Sequence, residues 1–418
     1  MPENRPGLTR RGMLAAGGAA ILGAAGGYAI GVTRADAPSP ASTASAASPA
    51  PPAASSAGET SAPRPAVIPF HGSHQAGVET EPALFQTFVG LDLRDPSRDS
   101  LEALLRLVTD DAARLTAGEP ALGDTEPELA AHPDRLTVTL GLGRPLLESV
   151  RLGDRLPPQL PELPSFSTDA FEEPWSQTDL MLQVGTDNPL TLAHTVRMLT
   201  KDLSTLARVA WSQPGFRSPR PATSGGTTTR NLMGQVDGTV NPRPGTPEFD
   251  EVVWIEQGSE WYAGGTILVL RRLRMLLDTW EVLDRMTQET VMGRHIDTGA
   301  PIGGTSESDP VPLDAIDDVG LPVIARDAHV RVAHAASPRE MILRRPYSYD
   351  NGMHAGASDV GLLFAAYMRD ARTSFIPMQE RISASDAFNR WNTTVGSAAY
   401  VLPGGVAEGG FLAEGLLT

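Results

Sequence analysis

The sequence predicts an α+β fold, and three observations carry that prediction. Strand-like segments alternate with segments at helical spacing, the order of these segments comes twice, and the pattern begins only after a long stretch without core-forming residues. Leu84–Leu93 reads as the first strand. Leu101, Leu104, Leu105, Val108, Ala112 and Leu115 follow at helical spacing. Leu136–Leu140 alternates like a half-buried strand. A Pro-rich loop through Pro157, Pro158, Pro161 and Pro164 leads to another strand, Leu180–Val184. Asp187-Asn188-Pro189 then caps a helix with Leu192, Val196, Leu199 and Leu203 on one face. Arg208–Trp211 closes the run as a short strand. The order β-α-β, β-α-β is that of a ferredoxin-like unit, with helices on one face of an antiparallel sheet.

The second half repeats this order loosely. Thr266–Leu270 reads as a strand, and a helix starts at Asp278 with Glu281 three residues on as a capping box. Arg339–Tyr349 and Val360–Tyr367 read as strands, Phe375–Trp391 as a helix and Ala399–Val401 as a final strand. The halves share no clear sequence identity, so the duplication rests on element order. The predicted organisation is two ferredoxin-like halves, 67–218 and 219–418. A long irregular stretch, Arg294–Ala328, interrupts the second and runs directly into His329. Loops of this length in a compact domain are usually functional or disordered, and here a pocket wall is expected.

The N-terminus reads as an export signal. Thr9-Arg10-Arg11-Gly12-Met13-Leu14 opens an apolar run, Met13 to Val32, that holds six glycines, and Ala35-Asp36-Ala37 offers small residues for cleavage. Paired arginines before such a run have the form of a twin-arginine signal, 1–37. The glycines weaken the competing reading, a membrane anchor. Ala, Ser and Pro dominate 38–66, which offers too little apolar surface to offset its ordering entropy and reads as a flexible tether. The signal predicts export to an extracellular, periplasmic or cell-surface location. Twin-arginine export carries folded proteins, which raises the expectation of a cofactor.

Composition excludes several functions. A net charge of −16 argues against nucleic acid and anionic membrane surfaces. The absence of cysteine excludes disulfides, thiolate-ligated haem, iron–sulfur clusters and Cys-based zinc sites. Gly264-Gly265 precedes a strand rather than a helix, so it makes no dinucleotide-binding turn.

Three short stretches carry the candidate chemistry. Gly234-Gln235-Val236-Asp237-Gly238 places a carboxylate in a turn whose glycines let backbone approach a flat ligand. His329-Val330-Arg331-Val332-Ala333-His334 offers imidazoles on an alternating segment. His334 is the nearest rival of His329 among eight histidines, with His194 placed on a surface helix. Arg344 and Arg345 follow Leu343, and strand alternation puts them on opposite faces, so at most one enters a given pocket. Read singly, each stretch fits an ordinary turn, a surface histidine and an edge-strand charge pair.

Together the stretches resemble the dye-decolourising peroxidase family, its twin-arginine-exported, deferrochelatase/peroxidase-like branch in particular. The resemblance covers nearly all of the chain from Val67 on. Phe70-His71-Gly72-Ser73-His74-Gln75-Ala76-Gly77 resembles the opening of secreted members, and Asn231–Thr239 contains the family's Gly-x-x-Asp-Gly motif. Ala328-His329-Val330-Arg331 resembles the haem-ligand segment, and Ile342–Tyr349 the distal arginine segment. The family usually has Gly where this chain has Pro346, which stiffens the backbone and removes an N–H.

The resemblance implies a barrel of the dimeric α+β type, with one haem b in the C-terminal half. His329 would be the proximal iron ligand, Asp237 the distal acid–base residue and Arg344 the distal arginine. Gly238, Thr239, Val240 and His334 would lie against the haem, and Arg344 would also help hold a propionate. The partners implied are hydrogen peroxide and small reductants such as dyes or phenolics. Asp237 would move a proton from the inner to the outer peroxide oxygen, and Arg344 would steady the charge that develops there. A carboxylate is expected on the other nitrogen of His329, from Asp314, Asp317 or Asp318. Aspartate chemistry predicts an optimum of roughly pH 4–5. Bulky reductants would deliver electrons through a surface aromatic, with Trp254, Trp261, Trp280, Trp391, Tyr347, Tyr349 and Tyr400 available. The alternative is a haem-handling deferrochelatase component of an iron-uptake system, which uses the same residues. A homo-oligomer and iron-uptake partners are compatible with either reading.

Overall fold

A computed structural model describes residues 67–418 apart from 220–227, 257–259 and 355. The proposed signal and tether, 1–66, lie outside the described residues. The first half runs β1 (Phe85–Leu93), α1 (Arg98–Ala117), β2 (Thr137–Gly143), α2 (Arg144–Ser149), β3 (Leu180–Thr186), α3 (Pro189–Asp202) and β4 (Ala207–Phe216). Ser97 caps α1 by accepting the Ser100 N–H, and Gly118 ends it in the left-handed region at φ 82°. Asn188 caps α3 by accepting the N–H groups of Leu190 and Thr191. The leucines predicted at helical spacing on α1 are buried against the sheet.

The second half has two short strands, β5 (Thr229–Arg230) and β6 (Val236–Asp237), and then α4 (Pro247–Val253) and β7 (Thr266–Met275). Three short helices follow: α5 (Leu277–Trp280), α6 (Arg285–Met292) and α7 (His329–Val332). It ends with β8 (Leu343–Arg344), β9 (Tyr347–His354), β10 (Ala357–Met368), α8 (Phe375–Ser385) and β11 (Asn392–Leu402).

The strand order is β7-β11-β2-β3-β1-β4-β9-β10-β8, and β7 also pairs with β10. Every strand of this sheet except β8 therefore lies on a closed ring. Within it, β4-β1-β3-β2 and β11-β7-β10-β9 have the same relative order, which is the ferredoxin-like one. The halves meet at two narrow seams, Phe216 opposite Ser348 and the pairs Tyr400–Gly143 and Val401–Leu142. Alternation sends Phe88, Met181, Trp211, Leu270, Leu363, Tyr367 and Tyr400 into the ring and their neighbours toward the helices. The β1–β4 register shifts after Gly90 by one residue, Ala210 of β4, and close packing requires glycine at 90, where a Cβ would come 2.4 Å from the Trp211 ring.

Several local expectations need correction. The helix predicted from Asp278 is two short ones, and its cap is Asp284, which accepts the Thr287 N–H, rather than a box with Glu281. Arg339–Tyr349 is not one strand: a 3₁₀ turn at Pro338–Glu340 precedes β8, and Pro346 separates β8 from β9. The helix predicted over Phe375–Trp391 stops at Ser385, because Asp386 turns the chain and caps a 3₁₀ turn. His194 is buried rather than on a surface face, with Nε2 2.8 Å from Asp124. Of the aromatic candidates, all but Trp391 are buried in the core.

Candidate active site

A cavity of about 580 Å³ opens on the helical side of the C-terminal sheet. Its volume falls within the range of small-molecule and cofactor pockets, roughly 300–1,000 Å³. Leu273 and Met275 of β7, with Leu362 and Phe364 of β10, give it an apolar surface. Asp237, Gly238, Thr239, Val240, His329, His334 and Arg344 all line it. The sequence-predicted site residues therefore come together in one place.

His329 starts α7, not an alternating strand. Two carbonyls shape this turn: Ala328 accepts the N–H groups of Arg331 and Val332, and His329 accepts that of Ala333. Arg331 fastens it by donating to the carbonyls of Leu313, Ile324 and Ala325. Val330 packs over Gly293, where a Cβ would come 2.5 Å from Cγ1 of Val330. His329 is deep in the protein, and its side chain's 31% exposure is toward the cavity it lines. Its Nδ1 lies 2.6 Å from Oδ2 of Asp386, a fully buried carboxylate. Asp386 is the partner, not Asp314, Asp317 or Asp318. Asp317 accepts the N–H groups of Val319 and Leu321 in its own loop. Burial alone would lower the imidazole pKa, but the charge and hydrogen bond of Asp386 outweigh it and hold His329 above its ordinary value. An ionised Asp386 also keeps the neutral ring's proton on Nδ1, which leaves the Nε2 lone pair free.

Asp237 closes β6 between Gly234, at φ 79°, and Gly238, at φ 109°. Its Oδ1 lies 3.6 Å from Nη1 of Arg344. Two residues missed by the sequence reasoning complete this region. Asn241 clamps Arg344: its Oδ1 accepts the Arg344 N–H and its Nδ2 donates to the Arg344 carbonyl, both at 2.9 Å. Arg294 brings a second guanidinium to the cavity, with Nη1 donating to the carbonyls of Gly299 and Glu307. Burial, then the charge of Arg344, lowers the pKa of Arg294. The sequence signal for Arg294 was its place after the helix-ending Gly293; Asn241 carried none. Thr239 donates to Glu307 at 2.7 Å and so ties the turn to the long loop, of which Ser308 to Val311 also line the cavity.

The two neighbouring arginines separate as alternation requires. Arg344 faces the cavity, whereas Arg345 is buried on the other side, donating to the carbonyls of Val78 and Thr80. Pro346 follows at the break after β8, between the Arg345 backbone N–H, which donates to the Ala365 carbonyl, and Tyr347, where the pairing of β9 with β10 begins. His334 is exposed at the cavity rim.

Two family models match the chain: Dyp-type peroxidase, N-terminal, over residues 75–217, and Dyp-type peroxidase, C-terminal, over residues 228–407. The chain belongs to the Dyp-type peroxidase family. By that membership it is a peroxidase. It is 39% identical to a dye-decolorizing peroxidase of Thermobifida fusca, over 99% of this chain and 98% of the other. It is 34% identical to a deferrochelatase of Yersinia pestis, over 84% of each chain. Among solved structures, a DyP-type peroxidase from Cellulomonas bogoriensis matches with a TM-score of 0.81 at 47% identity, covering 84% of this chain and 98% of that one. DtpA from Streptomyces lividans, solved as an oxyferrous complex, matches with a TM-score of 0.80 at 38% identity, covering 84% and 98%. These likenesses support the two-half barrel fold throughout the described region.

Proposed function

We propose that this peroxidase binds one haem b in the cavity, with His329 as iron ligand, and uses hydrogen peroxide to oxidise dyes, phenolics or similar reductants. One observation carries the reading: a single cavity is lined by an imidazole with a buried carboxylate partner and by a carboxylate beside a guanidinium. The residues fit the group. Nε2 of His329 is free, the glycine-flanked turn admits a flat ligand, and apolar strand residues offer it a face.

Bound haem supplies the iron at which peroxide is reduced. His329 would hold the group through Nε2, and Asp386 fixes the ring's orientation and tautomer. A carboxylate oxygen of Asp237 takes the proton of the inner peroxide oxygen and returns it to the outer one, which leaves as water. The guanidinium of Arg344 stabilises the negative charge that builds up on the way. Asn241 keeps Arg344 in place. Gly238, Thr239, Val240 and His334 would bound the ligand, and Arg344 would also help hold a propionate. An aspartate base stays ionised to lower pH than a histidine, so peroxide turnover is expected to peak at roughly pH 4–5. A peak at about pH 7–8 would count against Asp237.

Export through the twin-arginine route belongs to the same proposal. It is supported by Arg10-Arg11 ahead of the glycine-rich apolar run. Among the described residues no helix is long and apolar enough to cross a membrane. The halves are proposed to divide as 67–218 and 219–418.

The deferrochelatase likeness favours a second reading, iron release from haem within an iron-uptake system. Absorption spectra of haem-reconstituted protein test the first: a Soret band is expected, and no band would overturn the haem reading. Anaerobic incubation with haem separates the two. Protoporphyrin fluorescence without peroxide favours iron release, and peroxide-dependent dye oxidation without that fluorescence favours the peroxidase.

A further inference from the structure

The opening motif from Phe70 to Gly77 has no part in the reaction, yet its last residues run along the inner face of the ring. Phe88 points into the ring, and Gln183 of β3 and Thr139 of β2 stand beside it in register, so both side chains point inward as well. There they hold segment 75–80. Thr139 donates to the Ala76 carbonyl at 2.6 Å, and Gln183 to the Gly77 carbonyl at 2.9 Å. Gln75 donates to the Leu140 carbonyl at 3.0 Å and accepts the Leu140 N–H at 2.8 Å. Position 77 requires glycine: its φ is 100°, and a Cβ would come 2.3 Å from Oγ1 of Thr139. Val78, next in the chain, is buried among the ring's inward residues.

The C-terminal half grips the same segment with one side chain. Nη1 of Arg345 donates to the carbonyls of Val78, at 2.8 Å, and Thr80. Arg345 is buried, and its Nε has no partner. The titratable groups facing it are Tyr347, Tyr367, Arg217 and Arg135, and none is a carboxylate. Tyr367 donates in turn to Oε1 of Gln183, which closes the network around the segment. A guanidinium keeps its charge at every pH the protein meets, and a buried charge without a counter-charge is destabilising. The charge-assisted bonds to the two carbonyls offset part of that cost. A neutral side chain could fill the same space with no such cost, so stability alone does not account for arginine here.

The reason lies one residue away. The Arg344 side chain has only loose contacts, 3.6 Å to Asp237 and 3.4 Å to the Val240 carbonyl. Its aim therefore depends on where its backbone is held. β8 gives little hold of its own: it has two residues, paired with β10 at Leu343 and Arg344, and lies between a 3₁₀ turn and Pro346. Asn241 clamps the Arg344 backbone on the cavity side. Arg345 ties the next residue to the N-terminal half on the opposite face, while its backbone N–H donates to the Ala365 carbonyl at 2.8 Å.

We propose that Arg345 is a positioning residue for Arg344, and that segment 75–80 of the N-terminal half, by holding Arg345, sets the aim of the guanidinium beside Asp237. The proposal rests on the part given above to Arg344 in the peroxide reaction. It assigns the N-terminal half a share in a site whose lining comes almost wholly from the other half. Two adjacent arginines then divide the work. One faces the cavity, and the other is its anchor.

The test uses the haem-reconstituted full chain, wild type against Arg345→Met, which removes the charge, and Arg345→Lys, which keeps a charged donor. A misplacement of about 1 Å can cost about 100-fold, so kcat/KM for peroxide should fall about 10–100-fold in Arg345→Met. The kcat/KM for the reducing dye and the haem content should stay those of wild type, and Arg345→Lys should recover most of the loss. Adding Arg345→Met to Arg344→Leu should lower peroxide turnover no further. Hydrogen exchange should quicken in Arg345→Met over residues 76–82 and 341–347 and not over α1. Equal losses for peroxide and dye, a further loss in the double variant, or unchanged exchange over 341–347 would overturn the proposal. Should Arg345→Met fail to fold, Thr80→Ala replaces it. That variant removes the Oγ1 that accepts the Gly77 N–H at 3.0 Å and so loosens the turn presenting both carbonyls. It should show a smaller loss with the same selectivity for peroxide, and an unselective loss or none would overturn the proposal. Absence of a Soret band in wild type would instead mark failure of the haem reading, and hydrogen exchange of the haem-free chain would then decide whether Arg345 holds the Arg344 backbone.

Discussion

The two halves have the same strand order but differ in the crossover from their first strand. In the N-terminal half, β1 reaches β2 through α1, one 20-residue helix that buries its apolar face on the sheet. In the C-terminal half, β7 reaches β9 through α5, α6, a long loop, α7 and β8, and no helix on this route exceeds eight residues. The outward residues Arg271, Leu273 and Met275 of β7 and Leu362 and Phe364 of β10, which a long helix would have covered, line the cavity instead. One copy of the fold uses this face for packing, and the other leaves it open for a ligand.

If that division is right, substitutions should sort by half. The largest effect is expected for His329→Ala: haem absorbance should vanish from the purified protein while far-UV circular dichroism stays that of wild type. Retention of the band, with its loss in His334→Ala instead, would move the ligand to His334. Asp237→Asn comes next. It should lower kcat/KM for peroxide by about 10²–10⁴-fold, with the unfolding midpoint little changed. Leu104→Ala, in the packed crossover, should do the reverse. It removes a fully buried side chain, so urea unfolding should show a loss of about 2–5 kcal/mol, with peroxide kinetics of the folded fraction unaltered. An equal loss of activity per folded molecule would break the division.

The smallest of these effects is expected for Asp386→Asn, about 10–100-fold in haem affinity. It also has a pH signature. Only neutral imidazole can bind iron, and Asp386 holds the His329 pKa above its ordinary value. Haem affinity should therefore rise with pH until that raised pKa is passed and then level off. Asp386→Asn should shift the rise to lower pH, which haem titrations at a series of pH values would detect.

The same contrast explains what was legible in the sequence. The strands of both halves and α1 and α3 could be read, because burial on one face leaves its period in the residue order. Asp237, His329 and Arg344 could be gathered by their short motifs; alternation put Arg344 and Arg345 on opposite faces, and the family resemblance chose Arg344. The broken crossover hid its structure. His329-Val330-Arg331-Val332 alternates like a strand, yet it forms a helical turn held by backbone carbonyls from the loop before it. Asp386 lay beyond local reading, since it is 57 residues from His329 and interrupts what looked like one continuous helix. Asn241 and Arg294 act through tertiary contacts that no spacing reveals. His194 looked exposed because the Asp124 that satisfies it comes from a distant loop.

The ring of strands has a consequence for the chain's behaviour among its own copies. An open sheet ends in rows of unpaired N–H and C=O groups, which invite another chain to add a strand. Here both seams, though only one and two residue pairs wide, join the last strand of one half to the second of the other. The outer strands of the halves are thus paired to one another near one end each, and within this sheet β8, two residues long, stands off the ring. Joining two halves of the same strand order end to end has given a sheet whose outer strands meet at seams instead of ending in two wholly separate edges.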